Sequence, residues 1–269
     1  MKATRLGAHR WQIAAVLVAL ATVVAGKQYY RHASAGELGW MLSPTAHMVG
    51  AVSGGDFVYE AGAGWIDRDL RFVIAPACAG LHFALAAFLA LVLGGLPAMR
   101  TLRATAGRLV TAVAFAYVAT LVVNTTRIAI AIAMHRGTID VGGFDHGEVH
   151  RIEGVAVYLG GLCALYALAR AVHTRNGPMR LLVERGRRLR WMAVPIAAYL
   201  VVTLVLPAVH GAALQGEFLR HAGWVVAVCV GVVVLAAVGG VVATLAGAGM
   251  RRLANHREPR CVVSAGGPS

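Results

Sequence analysis

Long apolar runs are the feature of this sequence that most constrains its fold. Several runs of about 18 or more mainly apolar residues recur along the 269-residue chain, and such a run is typical of a membrane-spanning helix. Hydrophobic residues make up 58% of the chain and charged residues only 14%, which excludes a water-soluble monomer of this size. With 32 Gly and 4 Cys, spanning helices are favoured over a membrane β-barrel or a disulfide scaffold.

The sequence therefore predicts an all-α multi-pass membrane protein with about six transmembrane helices. The predicted spans are Trp11 to Gly26, Ala77 to Leu96, Gly107 to Met134, His150 to Val172, Trp191 to Val209 and Ala222 to Ala248.

The distribution of charge along the chain predicts its orientation in the bilayer. The formal net charge is +13, and 17 of the 25 Lys and Arg residues lie in segments 1–10, 97–108, 170–190 and 249–269. These four segments all fall on one side of the predicted membrane. By the positive-inside rule, both termini are expected in the cytoplasm. Topology thus explains the basic charge. The lipid bilayer is an expected partner, and no nucleic-acid partner is expected.

The predicted spans divide the chain into four regions. Residues 1–37 form a transmembrane anchor, 38–173 a membrane core, 174–190 a basic cytoplasmic linker, and 191–269 a C-terminal pair of spans with a basic cytoplasmic tail. The basic start and first apolar run also fit a secretory signal peptide. No clear small-x-small cleavage site follows, so retention of the first helix is the favoured interpretation.

The segment between the first two spans, residues 27–76, is expected outside the cytoplasm. Residues 38–52 are apolar but interrupted by Pro44, and they are too short to span, so they predict a re-entrant or interfacial helix. Two strand-like runs, 57–60 and 70–74, lie on either side of a turn-rich stretch. They predict a small extracytoplasmic hairpin over the membrane.

Three reactive side chains are predicted to lie at one depth. Crossing about 30 Å of hydrocarbon takes about 20 helical residues. When this length is counted from the arginines at the inner ends of their helices, Cys78, Arg127 and His150 all fall near the outer surface. A thiol, a guanidinium and an imidazole from three helices suggest one site.

Each of these residues also has a purely structural interpretation. A free Cys in a membrane helix is usually a small apolar filler, and Cys163 and Cys229 fit that interpretation. Cys78 differs because Pro76 precedes it and an apolar helix follows. Its sulfur is then near the positive end of a helix dipole, which favours the thiolate.

Arg127 could reach the lipid headgroups, as arginines near helix ends do. However, the apolar sequence continues to Met134 beyond it. An arginine at a helix centre costs ~2.5–3.5 kcal/mol on insertion scales, and such residues usually have partners. Asn124, in the same turn, is a candidate supporting residue.

His150 follows a second histidine, His146, at the i,i+4 spacing of some metal ligands. Gly147 stands where the zincin motif requires Glu, and Glu148 comes one position later. A lone pair at this spacing is a weak signal. The sequence therefore predicts no metal and no cofactor.

Two further residues support the predicted site. Gly154 lies one turn from His150 and would let a neighbouring helix bring its side chains to the imidazole. His82 lies four residues after Cys78 on the same predicted helical face and is an alternative base. For His82 and His146, a solvated interfacial histidine is the structural alternative.

These residues resemble the three motifs of the exosortase/archaeosortase family. In order, the matching stretches are Pro76-Ala77-Cys78-Ala79-Gly80-Leu81, Asn124-Thr125-Thr126-Arg127-Ile128 and His150-x-x-x-Gly154. The resemblance covers roughly residues 38–172 and is greatest to the exosortase K branch. Ala79 is a departure, since many members carry Ser or Thr after the Cys.

The resemblance implies a cysteine protease or transpeptidase of the bacterial inner membrane, with its active site facing the periplasm. The implied partner is a membrane-anchored protein with a C-terminal sorting signal of the PEP-CTERM type: a Pro-Glu-Pro-like motif, a transmembrane helix and a basic tail. In the matching mechanism, Cys78 attacks the scissile carbonyl, His150 transfers the proton, and Arg127 stabilises the oxyanion or the thiolate.

Two other classes of function stay open from the sequence. A metal-dependent membrane hydrolase using His146, Glu148 and His150 predicts sensitivity to chelators and indifference to thiol alkylation. A non-enzymatic transport or assembly protein predicts no loss of function at Cys78. Charged residues are scarce in the middle of the spans, where a polar transport path would need them.

Overall fold

Six helices long and apolar enough to cross a membrane make up most of the structure, a computed structural model that describes residues 2–137, 146–173, 185–209, 211 and 216–255. The described residues are 83% helical, which confirms the predicted all-α multi-pass membrane protein. The helices are α1 (Lys2–His32), α2 (Gly39–Ser53), α3 (Leu81–Gly95), α4 (Leu102–Gly137), α5 (His146–His173), α6 (Arg185–Leu200), α7 (Leu206–Val209) and α8 (Gly216–Asn255).

Each predicted span overlaps one of the spanning segments, although the predicted last span, Ala222 to Ala248, is shared only over residues 222–235. The spanning segments are His9–His32, Pro76–Ala98, Leu102–Gly137, Gly147–Val172, Trp191–Val209 and Phe218–Leu235. The segment 38–52, predicted as a short helix that does not span, corresponds to α2.

The central helix of the bundle is α3. In the span that contains it, Pro76–Ala98, 61% of the most apolar 18 residues are buried, against at most 28% in the other five spans. It packs against α1, α4, α5 and α6. Small residues such as Ala86, Ala87 and Ala90 are buried along it and allow the neighbouring backbones to approach closely. The outer helices instead leave large apolar side chains exposed, as Val110 and Phe115 of α4 do, and such surfaces suit contact with lipid.

Three polar contacts fix α1 against its neighbours. Gln12 Nε2 donates to the Leu96 carbonyl at 3.0 Å, just beyond the C-terminal end of α3. Tyr30, near the other end of α1, donates to the carbonyls of Pro76 and Ala77, which precede α3. Between them, Lys27 Nζ donates to the Val202 carbonyl at 2.7 Å and so joins α1 to the C-terminal part of the chain.

A π-helical turn, Val201–Val205, explains why the Val202 carbonyl can accept this bond. In the π-helix the N–H of residue i+5 bonds the carbonyl of residue i, as Leu206 N does to Val201 O. The corresponding donor for Val202 would be residue 207, which is Pro and has no N–H. Lys27 supplies the missing donor.

A small antiparallel sheet lies between α2 and α3. Its strands are β1 (Val58–Glu60), β2 (Gly64–Asp67) and β3 (Phe72–Ile74), in the order β1-β2-β3. The predicted hairpin paired the first and last of these runs directly, and that pairing is wrong, because β2 lies between them. The missed strand has only four residues and begins at a glycine inside the stretch that resembled a turn, so it gave no alternating pattern to detect.

Asp67 stabilises the turn between β2 and β3. Its side chain is buried, and it accepts backbone hydrogen bonds from Asp56 at 2.6 Å and Leu70 at 2.8 Å. The neighbouring Trp65 packs edge-on against His47 of α2, with ring centroids 5.3 Å apart. The sheet is therefore attached to α2 on one side and leads directly into α3 on the other.

Replacing Asp67 by Ala should destabilise this segment, because two backbone N–H groups lose their acceptor. The expected cost is about 1–3 kcal/mol for the group left unpaired and buried. Thermal unfolding of the detergent-purified protein, with limited proteolysis of residues 54–75, measures it. Asp69→Ala, at an exposed position in the same turn, is the matched control. Equal stability of the two variants would contradict this role.

Candidate active site

Cys78 ends a 3₁₀ turn, Pro76–Cys78, that joins the sheet to α3. Pro76 suits the first position of this turn, since its φ is fixed and it has no N–H to leave unpaired. The Cys78 N–H donates to the Ala75 carbonyl at 2.8 Å. The Cys78 side chain is partly exposed and makes no disulfide.

Gly80 separates Cys78 from α3. Its φ is +73°, in the left-handed region, and α3 begins only at Leu81. The expectation that Cys78 and His82 share one helical face is therefore wrong, because the helix does not extend back through Gly80. A Cβ at this glycine would also lie 2.9 Å from Asn124 Cγ. Both the backbone conformation and the close approach of α4 require glycine here.

Side chains from two helices donate to the carbonyls of the Cys78 turn, and a third helix supports one of them. Asn124 of α4 is fully buried, and its Nδ2 donates to the Cys78 carbonyl at 2.6 Å. Tyr158 of α5 donates to Asn124 Oδ1 at 2.7 Å. The Tyr30 hydroxyl of α1 is 3.0 Å from the carbonyls of both Pro76 and Ala77. Asn124 was predicted as a supporting residue for Arg127. In the structure it orients the Cys78 turn instead.

Arg127 is half-buried and contacts His150. Its Nη2 lies 3.2 Å from His150 Nε2, and its Nη1 donates to the Tyr158 hydroxyl at 3.4 Å. The guanidinium also lies over the Tyr158 ring, 5.2 Å from the centroid. Because Arg can only donate, Nε2 of His150 must be the acceptor and carries no proton in this contact. That leaves the proton of a neutral imidazole on Nδ1.

Gly154 provides the space that Arg127 occupies. A Cβ at Gly154 would lie 2.8 Å from Arg127 Nε and 3.3 Å from Nη2. The predicted close approach at Gly154 is therefore made by the guanidinium itself. This places Arg127 against the same face of α5 that carries His150.

Glu153 is a residue of this cluster that the sequence interpretation missed. Its Oε2 lies 3.6 Å from His150 Nδ1, and its side chain is only 8% exposed. Among the described residues, neither of its carboxylate oxygens has a hydrogen-bond partner. The available signal was its position three residues after His150, which puts the two side chains on one face of a helix.

Arg127 is the residue that interacts with both Cys78 and His150. It interacts electrostatically with Cys78 as well as with Glu153, while its Nη2 contacts the imidazole. Within the described part of the chain, no hydrogen bond joins the Cys78 sulfur to His150. The arrangement is therefore centred on the guanidinium.

A cavity of about 190 Å³ lies beside this cluster. Ala77 and Gly80 from the two sides of Cys78 line it, together with Arg127 and Tyr158. His82 lines it too, with its ring edge-on to that of Tyr30 at 4.9 Å. The cavity thus reaches both the Cys78 turn and the Arg127 cluster.

The C-terminal helices also line this cavity. Tyr199 comes from α6, Thr203 from the π-helical turn and His221 from α8. No role of these two spans was predictable from the sequence, since the three polar residues lie far apart in the chain within long Val- and Ala-rich runs. Only the packing of α6 and α8 on the core brings these residues together.

The remaining predicted site residues are placed as follows. The side chain of His146 lies outside the described residues. Among the described side chains, no group of three or more His, Cys, Asp and Glu residues is arranged to hold a metal ion. Cys229 is buried and Cys163 packs against the core, as expected for apolar fillers.

Comparison with protein-family models, with curated proteins and with solved structures finds no match to this chain. The chemistry of the site must therefore be argued from its own geometry.

Replacing Gly154 by Ala should displace the guanidinium and slow alkylation of Cys78. The added methyl would lie 2.8 Å from Arg127 Nε, and moving the cation away from the sulfur disfavours the reactive thiolate. We expect labelling to slow by roughly threefold or more. The measurement uses a protein in which Cys78 is the sole cysteine.

Gly160→Ala is the matched control for this change. Gly160 lies on the same helix, and a Cβ there meets nothing within 4 Å. The intrinsic helix-propensity gain of replacing Gly by Ala is similar at both sites. Equal labelling rates in the two variants would contradict the role of Gly154.

Proposed function

We propose that this protein is a membrane-embedded cysteine peptidase or transpeptidase that cleaves C-terminal sorting signals of exported proteins. Cys78 is the nucleophile, Arg127 the electrostatic catalyst and His150 the acid–base residue. The observation that carries the proposal is the position of Arg127, a cation that contacts His150 at 3.2 Å and is joined to the Cys78 backbone through Tyr158 and Asn124.

The nucleophilic step begins with Cys78 as a thiolate. Its sulfur attacks the scissile carbonyl carbon, and the carbonyl oxygen becomes an oxyanion as the C–S bond forms. A fixed cation in a poorly hydrated site stabilises such a charge by several kcal/mol. Arg127 is held for this role by Tyr158 and by the space at Gly154.

His150 moves the proton in both directions. Its Nε2, the unprotonated nitrogen, takes the thiol proton before the attack, when the guanidinium turns from the imidazole to the sulfur. The imidazolium then gives this proton to the leaving amine as the C–N bond breaks, which leaves a thioester on Cys78. Glu153, 3.6 Å from Nδ1, stabilises the imidazolium and keeps the proton of the neutral ring on Nδ1. Water or an acceptor amine then resolves the thioester.

The position of Cys78 in the fold suits a substrate that is itself anchored in the membrane. Cys78 lies at the end of a spanning segment, four residues after the sheet. A peptide bond just outside the bilayer, next to the substrate's own transmembrane helix, would be at this depth. The charge distribution of the chain favours both termini in the cytoplasm, and the resemblance implies the bacterial inner membrane with the site facing the periplasm.

Cleavage of a reporter tests the assignment of Cys78 and Arg127. The reporter carries a Pro-Glu-Pro motif, a transmembrane helix and a basic tail, and its processing is followed by mass. We expect Cys78→Ala and Arg127→Ala each to lower the cleavage rate by about 100-fold or more. Cys163→Ala and Arg136→Ala are the controls. Normal processing by Cys78→Ala at wild-type protein levels would exclude this function.

Replacing Glu153 by Gln tests its role behind His150. The amide keeps the shape but removes the charge that stabilises the imidazolium, so kcat should fall by on the order of tenfold or more with KM unchanged. Glu148→Gln, on the same helix, should leave kcat unchanged. A loss at Glu148 together with inhibition by chelators would instead favour a metal-dependent hydrolase.

A further inference from the structure

The wall of the cavity carries, besides Arg127, a second group of basic side chains. His82 comes from α3, Arg151 from α5 and His221 from α8, and all three line the cavity. The mechanism proposed above uses none of them. They are contributed by three helices that are distant in sequence, so only the fold brings them together.

These three side chains have no acidic counterpart in the part of the cavity that the structure describes. Its lining contains two Arg and two His and no Asp or Glu. His82, Arg151 and His221 make no hydrogen bond or salt bridge to other described residues. The nearest carboxylate already discussed, Glu153, interacts with Arg127 and His150 instead.

Lys27 adds a further positive charge behind this wall. Its amino group is bound to the Val202 carbonyl, and it interacts electrostatically with both His82 and His221. Arg151 interacts in the same way with His221. Histidine is mainly uncharged at neutral pH, so Arg151 and Lys27 supply the positive charge of this group, and the His82 and His221 rings supply N–H donors. A bound anion would compensate that charge.

The size and lining of the cavity favour a small anion with several oxygen atoms. Its volume, about 190 Å³, is somewhat above the ~150 Å³ of a cavity that takes benzene. The guanidinium of Arg151 and the ring N–H groups of His82 and His221 are suitable donors to a phosphate. Arg151 is exposed, so the wall is accessible from the protein surface.

We propose that His82, Arg151 and His221 form a binding subsite for a phosphate-type oxyanion, supplied as free phosphate or as the headgroup of an anionic phospholipid. The subsite does not include Cys78, which is not one of the described residues that line the cavity. Binding is therefore independent of the proposed peptidase activity and persists in Cys78→Ala.

Thermal stability of the full-length protein in a non-ionic detergent measures this binding. A ligand that binds only the folded state raises the apparent Tm. We expect the apparent Tm to rise by about 3–5 °C for each tenfold increase in the concentration of inorganic phosphate above its dissociation constant. Sodium chloride and sodium acetate, at the same ionic strength and pH as the phosphate, are the control salts. Equilibrium dialysis of radiolabelled phosphate gives a second readout that does not depend on stability.

Variants assign the binding to the subsite. Arg151→Gln and His221→Gln should each reduce the phosphate-dependent shift by more than half. Arg220→Gln is the matched control, because it removes an exposed positive charge next to His221. Since two variants on different helices are used, a folding defect in one does not remove the test.

Mixed micelles separate the two sources of the anion. A shift produced by phosphatidylglycerol but not by inorganic phosphate, and absent with phosphatidylcholine, assigns the subsite to a lipid headgroup. A shift with inorganic phosphate assigns it to the free ion. The proposal is overturned if neither produces a shift, if chloride or acetate acts as strongly as phosphate, or if Arg220→Gln loses as much binding as Arg151→Gln and His221→Gln.

Discussion

The need to hold a guanidinium inside a helix bundle governs the arrangement around Arg127. An arginine in the middle of a span costs ~2.5–3.5 kcal/mol to insert, less near the interface, unless its charge and its donors find partners. Arg127 has the His150 imidazole, the Tyr158 hydroxyl and ring, and the charge of Glu153. These partners all come from α5. The same requirement therefore fixes how α4 and α5 pack, and Gly154 is the residue that allows it.

A second constraint acts on the irregular backbone around Cys78. At the end of a membrane span, carbonyls outside a helix must find donors from the protein where water is scarce. Tyr30 and Asn124 donate to the carbonyls of Pro76, Ala77 and Cys78. Tyr158 links the two constraints, since it donates to Asn124 and accepts from Arg127. The thiol and the guanidinium are thus positioned by one continuous hydrogen-bond network.

The sequence predicts those parts of this molecule that depend on local chemistry. Six apolar runs are sufficient to predict the spans, and Cys78, Arg127 and His150 stand out because reactive groups are rare at that depth. It does not predict the four-residue strand β2 or the break at Gly80, because both depend on contacts with residues distant in the chain. Nor does it select Tyr158 among several tyrosines, since its role follows from its position between α4 and α5.

In the C-terminal helices, a single proline affects contacts in a distant part of the fold. Pro207 leaves the Val202 carbonyl without an intrahelical donor, and Lys27 of α1 takes that place. Tyr30 lies three residues further along α1, so it shares a face with Lys27, and it bonds the Cys78 turn. A proline in the fifth span is thereby connected to the backbone around the thiol through two side chains of one helix. The last two spans line the cavity because this connection, and the packing of α6 on α3, hold them against the core.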